Sequence, residues 1–352
     1  MTERRQHAPR RPTLRMVAER AGVSTATVSY VFSGRSGSSG AGVAEATAAR
    51  VLAAAEALNY RPNSAARAIR TGRTGMIQLS LHMLSDPWSL AVADAVNVEA
   101  NRHGLTTLIL ADGDWHAALD RVESDVAYLD GIGLDEDAVG KLGDLVQRGQ
   151  RLVVFTEQPL DPDGFDVVRS DAIPGCEIAM DHLLERHTRI GALTAEGAVR
   201  LAPTQVTRYT PYLQRMADAG IEVDPAWTAT YGDSQSSAFE AAVGLLSRDD
   251  RPEAIYATTD FAAIAAINAA HMLGLRVPHD VAVIGIGNTP DAQLIAPTLT
   301  TVGPTDFFAR QARIITDRAL APAGSAPQVH EFPWSLFPGA STDLDAPASR
   351  SR

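Results

Sequence analysis

The hydrophobic period along the chain changes near residue 75, from helical stripes before it to strand-like runs after it. Residues 13–58 hold three segments of helical period. In the first, Leu14, Val17, Ala18 and Ala21 recur at i, i+3, i+4 and i+7, one face of a helix, and Thr13 stands at the N-cap position. Gly22 follows, able to take the positive φ of a tight interhelical turn. Ser24 caps the second segment, Thr25 to Phe32, and Val23 and Val28 occupy the two positions of a hydrophobic staple. Val28, Val31 and Phe32 continue its buried face. The third segment, about Val43 to Leu58, is expected to bury Ala48, Val51, Leu52, Ala55 and Leu58. Two short helices joined by a glycine turn and followed by a third make a helix-turn-helix unit. The outward face of the second helix carries Thr25, Ala26, Ser29 and Tyr30, small or hydrogen-bonding residues suited to base edges in a major groove.

From Met76 onward, apolar runs at Ile77–Leu81, Thr107–Leu110, Leu152–Phe155, Ile190–Leu193, Ala254–Ala257 and Val281–Ile286 read as strands. Helical segments lie between them, several ending at glycine: Gly104, Gly149, Gly220 and Gly274. This βα alternation predicts parallel sheets covered on both faces. About 270 residues exceed one open sheet of this kind, so two lobes are expected, with a ligand cleft at the carboxyl ends of the strands.

Composition refines that picture. The 352 residues are 45% hydrophobic, enough for packed cores. With 31 basic and 42 acidic residues the net charge is −11, which taken whole argues against a nucleic-acid partner. Its distribution argues the reverse. Residues 1–73 carry 12 arginines and 4 glutamates, a net +8, whereas the remainder carries 19 basic and 38 acidic groups, a net −19. A basic head on an acidic body suggests a nucleic-acid-binding module joined to something else. No stretch reaches 18 consecutive apolar residues, so no membrane span is expected. Met1 to Pro12 is polar and Arg-rich, unlike a secretory signal. Cys176 is the only cysteine, which excludes a disulfide framework and a cysteine-based zinc cluster. His182 and His187 lack a third ligand and read as structural, so no metal and no cofactor is expected. Gly131-Ile132-Gly133 has Glu136 where a third glycine should stand, and Gly285-Ile286-Gly287 has Pro290; neither completes a dinucleotide fingerprint. There is no P-loop and no nucleophile elbow. The chain reads as a cytoplasmic protein that is not an enzyme.

The run from Thr13 to Val31, TLRMVAERAGVSTATVSYV, closely resembles the N-terminal signature of the LacI/GalR (lactose-repressor) family of bacterial transcription regulators. Leu58 to Thr74, LNYRPNSAARAIRTGRT, resembles the family's second signature, the hinge, and the later segments keep the family's order to about residue 342. The resemblance implies an N-terminal all-α helix-turn-helix domain followed by an α/β two-lobed, periplasmic-binding-protein-like type I effector domain. Its parts would be a basic disordered arm (1–12), the DNA-binding domain (13–60), the hinge (61–74), the effector and dimerisation domain (75–342) and a disordered tail (343–352). The N-lobe would comprise about 75–171 and 303–326 and the C-lobe 172–302 and 327–342, with the last crossovers near Val302–Thr305 and Ala326–Gln328. The implied function is that of a ligand-responsive repressor: a homodimer on a pseudo-palindromic double-stranded DNA operator, released or stabilised by a small-molecule effector, a sugar or other metabolite. No leucine heptads follow the last lobe, so a tetramerising coiled coil is not expected.

For DNA, the resemblance adds Thr13, Leu14, Ser24, Thr27, Tyr60, Asn63, Ala66, Arg67, Ile69 and Arg70 to the recognition face. Pro62 sets a boundary that Asn63 can cap, and Ser64 to Arg70 holds good helix formers, although so short a helix is marginal alone in water. In the family, two such helices pair in the minor groove and insert an apolar wedge; Ile69 stands where leucine is usual. Arg67, Arg70 and Arg73 can neutralise phosphates. A Gly/Ser-rich insertion at 34–42, about five residues longer than the family usually has, reads as flexible linker.

For the effector, Ser85-Asp86-Pro87-Trp88 resembles the first ligand-facing loop, where Trp88 could stack on a ring. Glu157 corresponds to a common cleft acid, and Arg208 to an arginine that binds ligand hydroxyls or a carboxylate, although Pro211 replaces the motif's glycine. Thr259 and Asp260 stand where the family usually has Asn-Asp. Many sugar-binding members carry an aspartate where this chain has Gly287, followed by Asn288, which weakens the sugar case and leaves a nucleoside, an acidic metabolite, an uncommon glycoside or no ligand open. Two rivals are testable on the sequence. A solute-binding protein would need a signal peptide and no basic head; a doubly wound enzyme would need a complete phosphate or nucleophile motif.

Overall fold

The computed structural model describes residues 12–32, 43–81, 86–110, 114–132, 135–232, 234–322 and 324–345, and of 64, 65 and 70 only the backbone. Residues 1–11 of the expected arm (1–12), the insertion at 34–42, Ser85, the Arg70 side chain and residues 346–352 of the expected tail lie outside the described residues. The chain forms two units, Met1–Thr74 and Gly75–Arg352.

In the first unit, α1 (Leu14–Ala21), α2 (Thr25–Phe32) and α3 (Glu45–Ala57) enclose a small core of Val17, Ala18, Ala21, Val28, Val51, Ala54 and Ala55. Each helix start follows from its sequence. Thr13 Oγ1 accepts from the Met16 N–H at 3.4 Å, and Ser24 Oγ from the Thr27 N–H at 3.1 Å. Gly22 closes α1 with φ 65°, its N–H bonded back to Ala18 and Glu19. Val28 and Val51 are fully buried, each contributing roughly 1.5–3 kcal/mol of transfer free energy. One expectation fails. Leu52 is 52% exposed, because the buried stripe of α3 runs through Val51, Ala54 and Ala55, and Ala48 is only half-buried. A fourth helix, α4 (Ser64–Thr71), follows Pro62, with Asn63 Oδ1 accepting from the Ala66 N–H at 3.4 Å and Gly72 ending it at φ 65°.

The second unit holds two six-stranded sheets. The first contains β1 (Met76–Ser80), β2 (Thr106–Leu110), β3 (Val126–Leu129), β4 (Leu152–Thr156) and β5 (Asp166–Arg169). The second contains β6 (Ile190–Ala195), β7 (Thr228–Tyr231), β8 (Ala254–Ala257), β9 (Ala282–Ile286) and β10 (Thr300–Pro304). Two late strands complete them: β11 (Val329–Glu331) pairs with β5, and β12 (Trp334–Phe337) pairs with β10. All pairings are parallel except β10–β12. The strand orders are β11-β5-β4-β3-β1-β2 and β12-β10-β9-β8-β6-β7.

Alternate residues of each central strand serve opposite faces, as the period of two requires. In β3, Tyr128 joins a core completed by α5 (Pro87–Arg102), while Ala127 and Leu129 join one completed by α6 (Trp115–Arg121) and α7 (Glu136–Gln147). The second sheet is covered by α8 (Ile173–Leu184), α9 (Glu196–Leu201) and α10 (Thr210–Asp218) on one side. On the other lie α11 (Gln235–Leu246) and α12 (Asp260–Met272). The final helix, α13 (Phe307–Leu320), returns to pack on the first sheet and α5.

The chain therefore passes between lobes three times: after β5, after β10 and after β11. The third passage corrects the expectation placed at Ala326–Gln328. Val329–Glu331 still belongs to the first sheet, so the crossing falls at Phe332 and Pro333. The physical reason is the open edge of β5, whose backbone groups the later strand satisfies. Trp334 Nε1 donates to Ser170 Oγ at 2.8 Å, which ties the third crossover to the first.

Candidate functional site

Two surfaces carry chemistry, one in each unit. On the head, Thr25 and Ala26 are exposed, Ser29 is half-buried, and Tyr30 is 54% exposed. The other residues implied for DNA divide by role. Thr13 and Ser24 are exposed caps, and the Thr27 hydroxyl pairs with that of Ser24 at 2.9 Å. Leu14 leans on the core, and Tyr60 packs its ring 5.7 Å from Phe32. On α4, Asn63, Ala66 and Arg67 are exposed, and Ile69 is 88% exposed, an apolar side chain standing almost wholly in solvent.

The second surface is a cavity of about 240 Å³ between the lobes. Its walls are the carboxyl ends of strands from both sheets, where helix N-termini and loops converge. Asp86, Trp88 and Ser89 come from the start of α5; Asp130 follows β3; Phe155 and Glu157 end β4. Arg208, Tyr231, Thr259, Asp260, Phe261 and Thr289 come from the second lobe. Asp86 caps α5, its Oδ1 accepting the Trp88 N–H at 3.0 Å, and Pro87 fills the first helical position. The cap places the Trp88 ring against Phe155, Phe307 and Phe308, at 6.0, 4.6 and 5.0 Å between centroids.

Arg208 and Glu157 meet across the lobes. The guanidinium donates from Nε to Glu157 Oε2 at 3.2 Å and from Nη2 to Oε1, and its Nη1 donates to the Thr258 carbonyl at 3.0 Å. Burial opposes the charged form of Arg208, but Glu157 outweighs it and holds the guanidinium firmly protonated. The pair is bidentate and spans the cleft, so each lobe supplies half of one interaction.

Asp260 is 1% exposed and fully engaged. Its Oδ2 accepts from the Thr289 N–H at 2.7 Å and the Thr289 hydroxyl at 2.9 Å, and its Oδ1 from the Thr301 hydroxyl at 2.5 Å. Burial raises its carboxyl to about 6 against these donors. Its position also accounts for the glycines of β9. A Cβ on Gly285 would stand 2.5 Å from Asp260 Oδ1, so the space beside residue 285 is already taken by that carboxylate, and one on Gly287 would stand a tight 3.3 Å from Oδ2. Gly287 also has φ +143°. Gly285→Ala should therefore lower the stability of this unit by about 1–3 kcal/mol, read as a lower melting temperature in calorimetry.

Of the residues implied for the effector, Trp88, Glu157, Arg208, Thr259 and Asp260 line the cavity. Thr259 is also the N-cap of α12, its Oγ1 accepting from the Ala262 N–H at 3.3 Å. Asn288 is not part of the lining. It sits at φ 53° with its side-chain amide donating to the Pro304 carbonyl at 3.3 Å, a turn residue rather than a cleft residue. The sequence reading missed Asp130, Phe155, Tyr231 and Phe261. Asp130 is half-buried, and burial together with Asp86 and Glu157 pushes its carboxyl up to about 7, against the Gly131 N–H and Arg208. His182 is bonded to the Thr342 hydroxyl at 2.8 Å, and burial lowers it and His187. Among the described residues, no cluster of three or more His, Cys, Asp or Glu could hold a metal ion, and no helix is long and apolar enough to cross a membrane.

Residues 13–63 match the model for bacterial regulatory proteins of the lacI family, and residues 180–342 match a periplasmic binding protein-like domain. HTH-type transcriptional repressor PurR of Serratia proteamaculans (strain 568) is 34% identical over 301 residues, 82% of this chain and 84% of that protein. The chain belongs to the LacI family. Its relative PurR of Yersinia pestis bv. Antiqua (strain Antiqua) is 32% identical over 324 residues, covering 87% of this chain and 91% of its own. Among solved structures, the regulator CelR in complex with cellobiose is 25% identical with a TM-score of 0.59, over 94% of this chain and all of that one. The lac repressor dimer bound to operator and the anti-inducer ONPF shares the fold at a TM-score of 0.69 and 22% identity, over 95% and 99% of the two chains. This LacI-family chain is a DNA-binding, effector-responsive transcription repressor.

Proposed function

We propose that the head reads one half of an inverted-repeat operator through Thr25, Ala26, Ser29 and Tyr30, and that a second copy of the chain reads the other half. Paired α4 helices carry Ile69 into the minor groove between the half-sites, and Arg67 and Arg70 neutralise the adjoining phosphates. Ser24, Thr27, Leu14 and Tyr60 act by holding the recognition helix in place. The exposure of Ile69 on a capped helix supports the wedge, because an apolar side chain in water favours a partner surface. The groove lined by Pro87, Phe239, Ile264 and Leu294 offers the second copy an apolar surface on the effector unit.

The interlobe cavity takes a small-molecule effector. Trp88 and Phe155 supply an aromatic wall, and the Glu157–Arg208 pair is the contact whose rearrangement a ligand can couple to lobe movement. That bridging pair is the observation that carries the reading. The cavity binds rather than catalyses: its one arginine is committed to Glu157 and Thr258, and Asp260 to three donors. The site of action is the cytoplasm, with the chromosome.

The test titrates sugars, nucleosides, amines and organic acids into the full chain bound to a fluorescent operator duplex. A compound that changes DNA affinity in the native chain and not in a Trp88→Ala chain supports the cavity as effector site. Compounds that act equally on both chains remove it.

A further inference from the structure

The described lining of the effector-unit cleft carries more carboxylates than cations. Among the described residues, four carboxylates line it, Asp86, Asp130, Glu157 and Asp260, against a single guanidinium, Arg208. Glu157 and the Thr258 carbonyl take up that guanidinium through all three of its nitrogens. Asp260 is satisfied by its two threonines. Asp130 differs: among the described residues it accepts only from the Gly131 N–H, and no side-chain donor reaches it. Two of the hydroxyls that could meet a ligand's oxygens are engaged elsewhere, which leaves Ser89 and the Trp88 indole as the side-chain donors of the lining. The Tyr231 hydroxyl pairs with those of Thr258 and Thr259, and Thr289 gives both its N–H and its O–H to Asp260.

A ligand must complement that imbalance. A carboxylate or phosphate would bring a further negative charge into an acidic cavity whose only arginine already has a partner. A neutral polyol carries as many acceptors as donors and would find few donors to meet them. An ammonium or amidinium group carries donors only, and its charge offsets that of the walls. The apolar wall of Trp88, Phe155 and Phe261 suits the uncharged part of the same molecule, and their ring faces attract a cation.

Building on the reading of this cavity as the effector site, we propose that the effector is a small organic cation. Its protonated amine or amidine is held by Asp130, with Asp86 adding field, and its apolar part rests on Trp88 and Phe155.

Matched probes of one shape and three charges test this: benzamidine, benzamide and benzoate; phenethylamine, 2-phenylethanol and phenylacetate; glucosamine, glucose and glucuronate. Each is titrated into the full chain and read by calorimetry and melting temperature. In at least one set the cationic member should bind while the neutral and acidic members do not. Asp130→Asn, nearly isosteric, should weaken that binding roughly tenfold or more without lowering the melting temperature. For benzamidine and phenethylamine, which stay cationic across the range, affinity should rise between about pH 6 and about pH 8, because a cation favours the ionised form of a carboxyl that titrates near the middle of that range, and Asp130→Asn should flatten the rise. The groups facing Asp130 are Asp86, Glu157, Tyr128 and Arg208; burial raises Tyr128 well beyond this window, and Arg208 stays protonated throughout.

Equal or tighter binding of a neutral or acidic member, unchanged affinity in Asp130→Asn, or silence from all three cationic probes overturns the proposal. The two readings fail separately. A neutral or acidic probe whose binding Trp88→Ala abolishes keeps the cavity and rejects the cation. A cationic probe that binds Trp88→Ala and Asp130→Asn as tightly as the native chain rejects the cavity as well.

Discussion

Arg208→Ala is expected to abolish the response to effector and to lower the melting temperature of the effector unit by roughly 4–8 °C. The cost comes from what the substitution leaves behind. Removing one partner of a buried ion pair costs about 3–5 kcal/mol, chiefly because the other charge remains without compensation. Here the side chains are 23% and 32% exposed, so solvent screens part of that loss and about 2 kcal/mol is the better figure. The remaining Glu157 carboxylate would share the cavity with Asp130 and Asp86, with no other arginine or lysine among the described lining residues. Adding Glu157→Ala to Arg208→Ala should therefore restore part of the stability and none of the ligand response. Thermal unfolding of the single and double variants checks this. If the double variant is less stable than Arg208→Ala, the interlobe pair is not the element described.

Ile69→Ala is the second large effect. It should weaken operator binding by about 2 kcal/mol, roughly thirtyfold, while leaving binding to random duplex nearly intact. The side chain is 88% exposed, so its removal takes nothing from the core of the free head. The helix around it should persist in the complex, because alanine is the better helix former and the Asn63 cap is untouched. The loss would then fall only on the complex in which a wedge unstacks a base step. Anisotropy titrations on operator and scrambled duplexes separate the two terms, and equal losses on both would reject the wedge.

Legibility in the sequence followed the locality of the forces. The caps at Thr13 and Ser24, the turn at Gly22 and the staple of Val23 on Val28 involve partners within a few residues, so the head could be read directly. Six strands of the effector unit announce themselves as apolar runs. β10 does not: it reads Thr-Thr-Val-Gly-Pro, yet every residue is buried. Its threonines are stabilised by distant partners, Thr300 by Gly339 and Thr342, and Thr301 by Asp260. β11 is an edge strand with two of three residues exposed, and without it the third crossover could not be located.

The cleft divides in the same way. Residues that match a family pattern, such as Glu157 after β4 and Arg208 before α10, came from resemblance. Asp130 follows β3, a short apolar strand passed over in the sequence, and carries no motif. Asn288 stood beside the right position but turns its amide to Pro304. The glycine at 287, which looked like a lost acid, sits at φ +143°, where a side chain is strained and would fit only tightly beside Asp260.

The charge division sets the terms of the last test: the +8 head, on this account, meets phosphate, and the −19 body repels it. Selection of duplexes from a random-sequence library by the full chain, at about 150 mM salt where non-specific attraction is reduced, is the most direct measurement. The account predicts enrichment of one inverted repeat, bound at least roughly a thousandfold more tightly than the starting library. A library that emerges without a common sequence would contradict it.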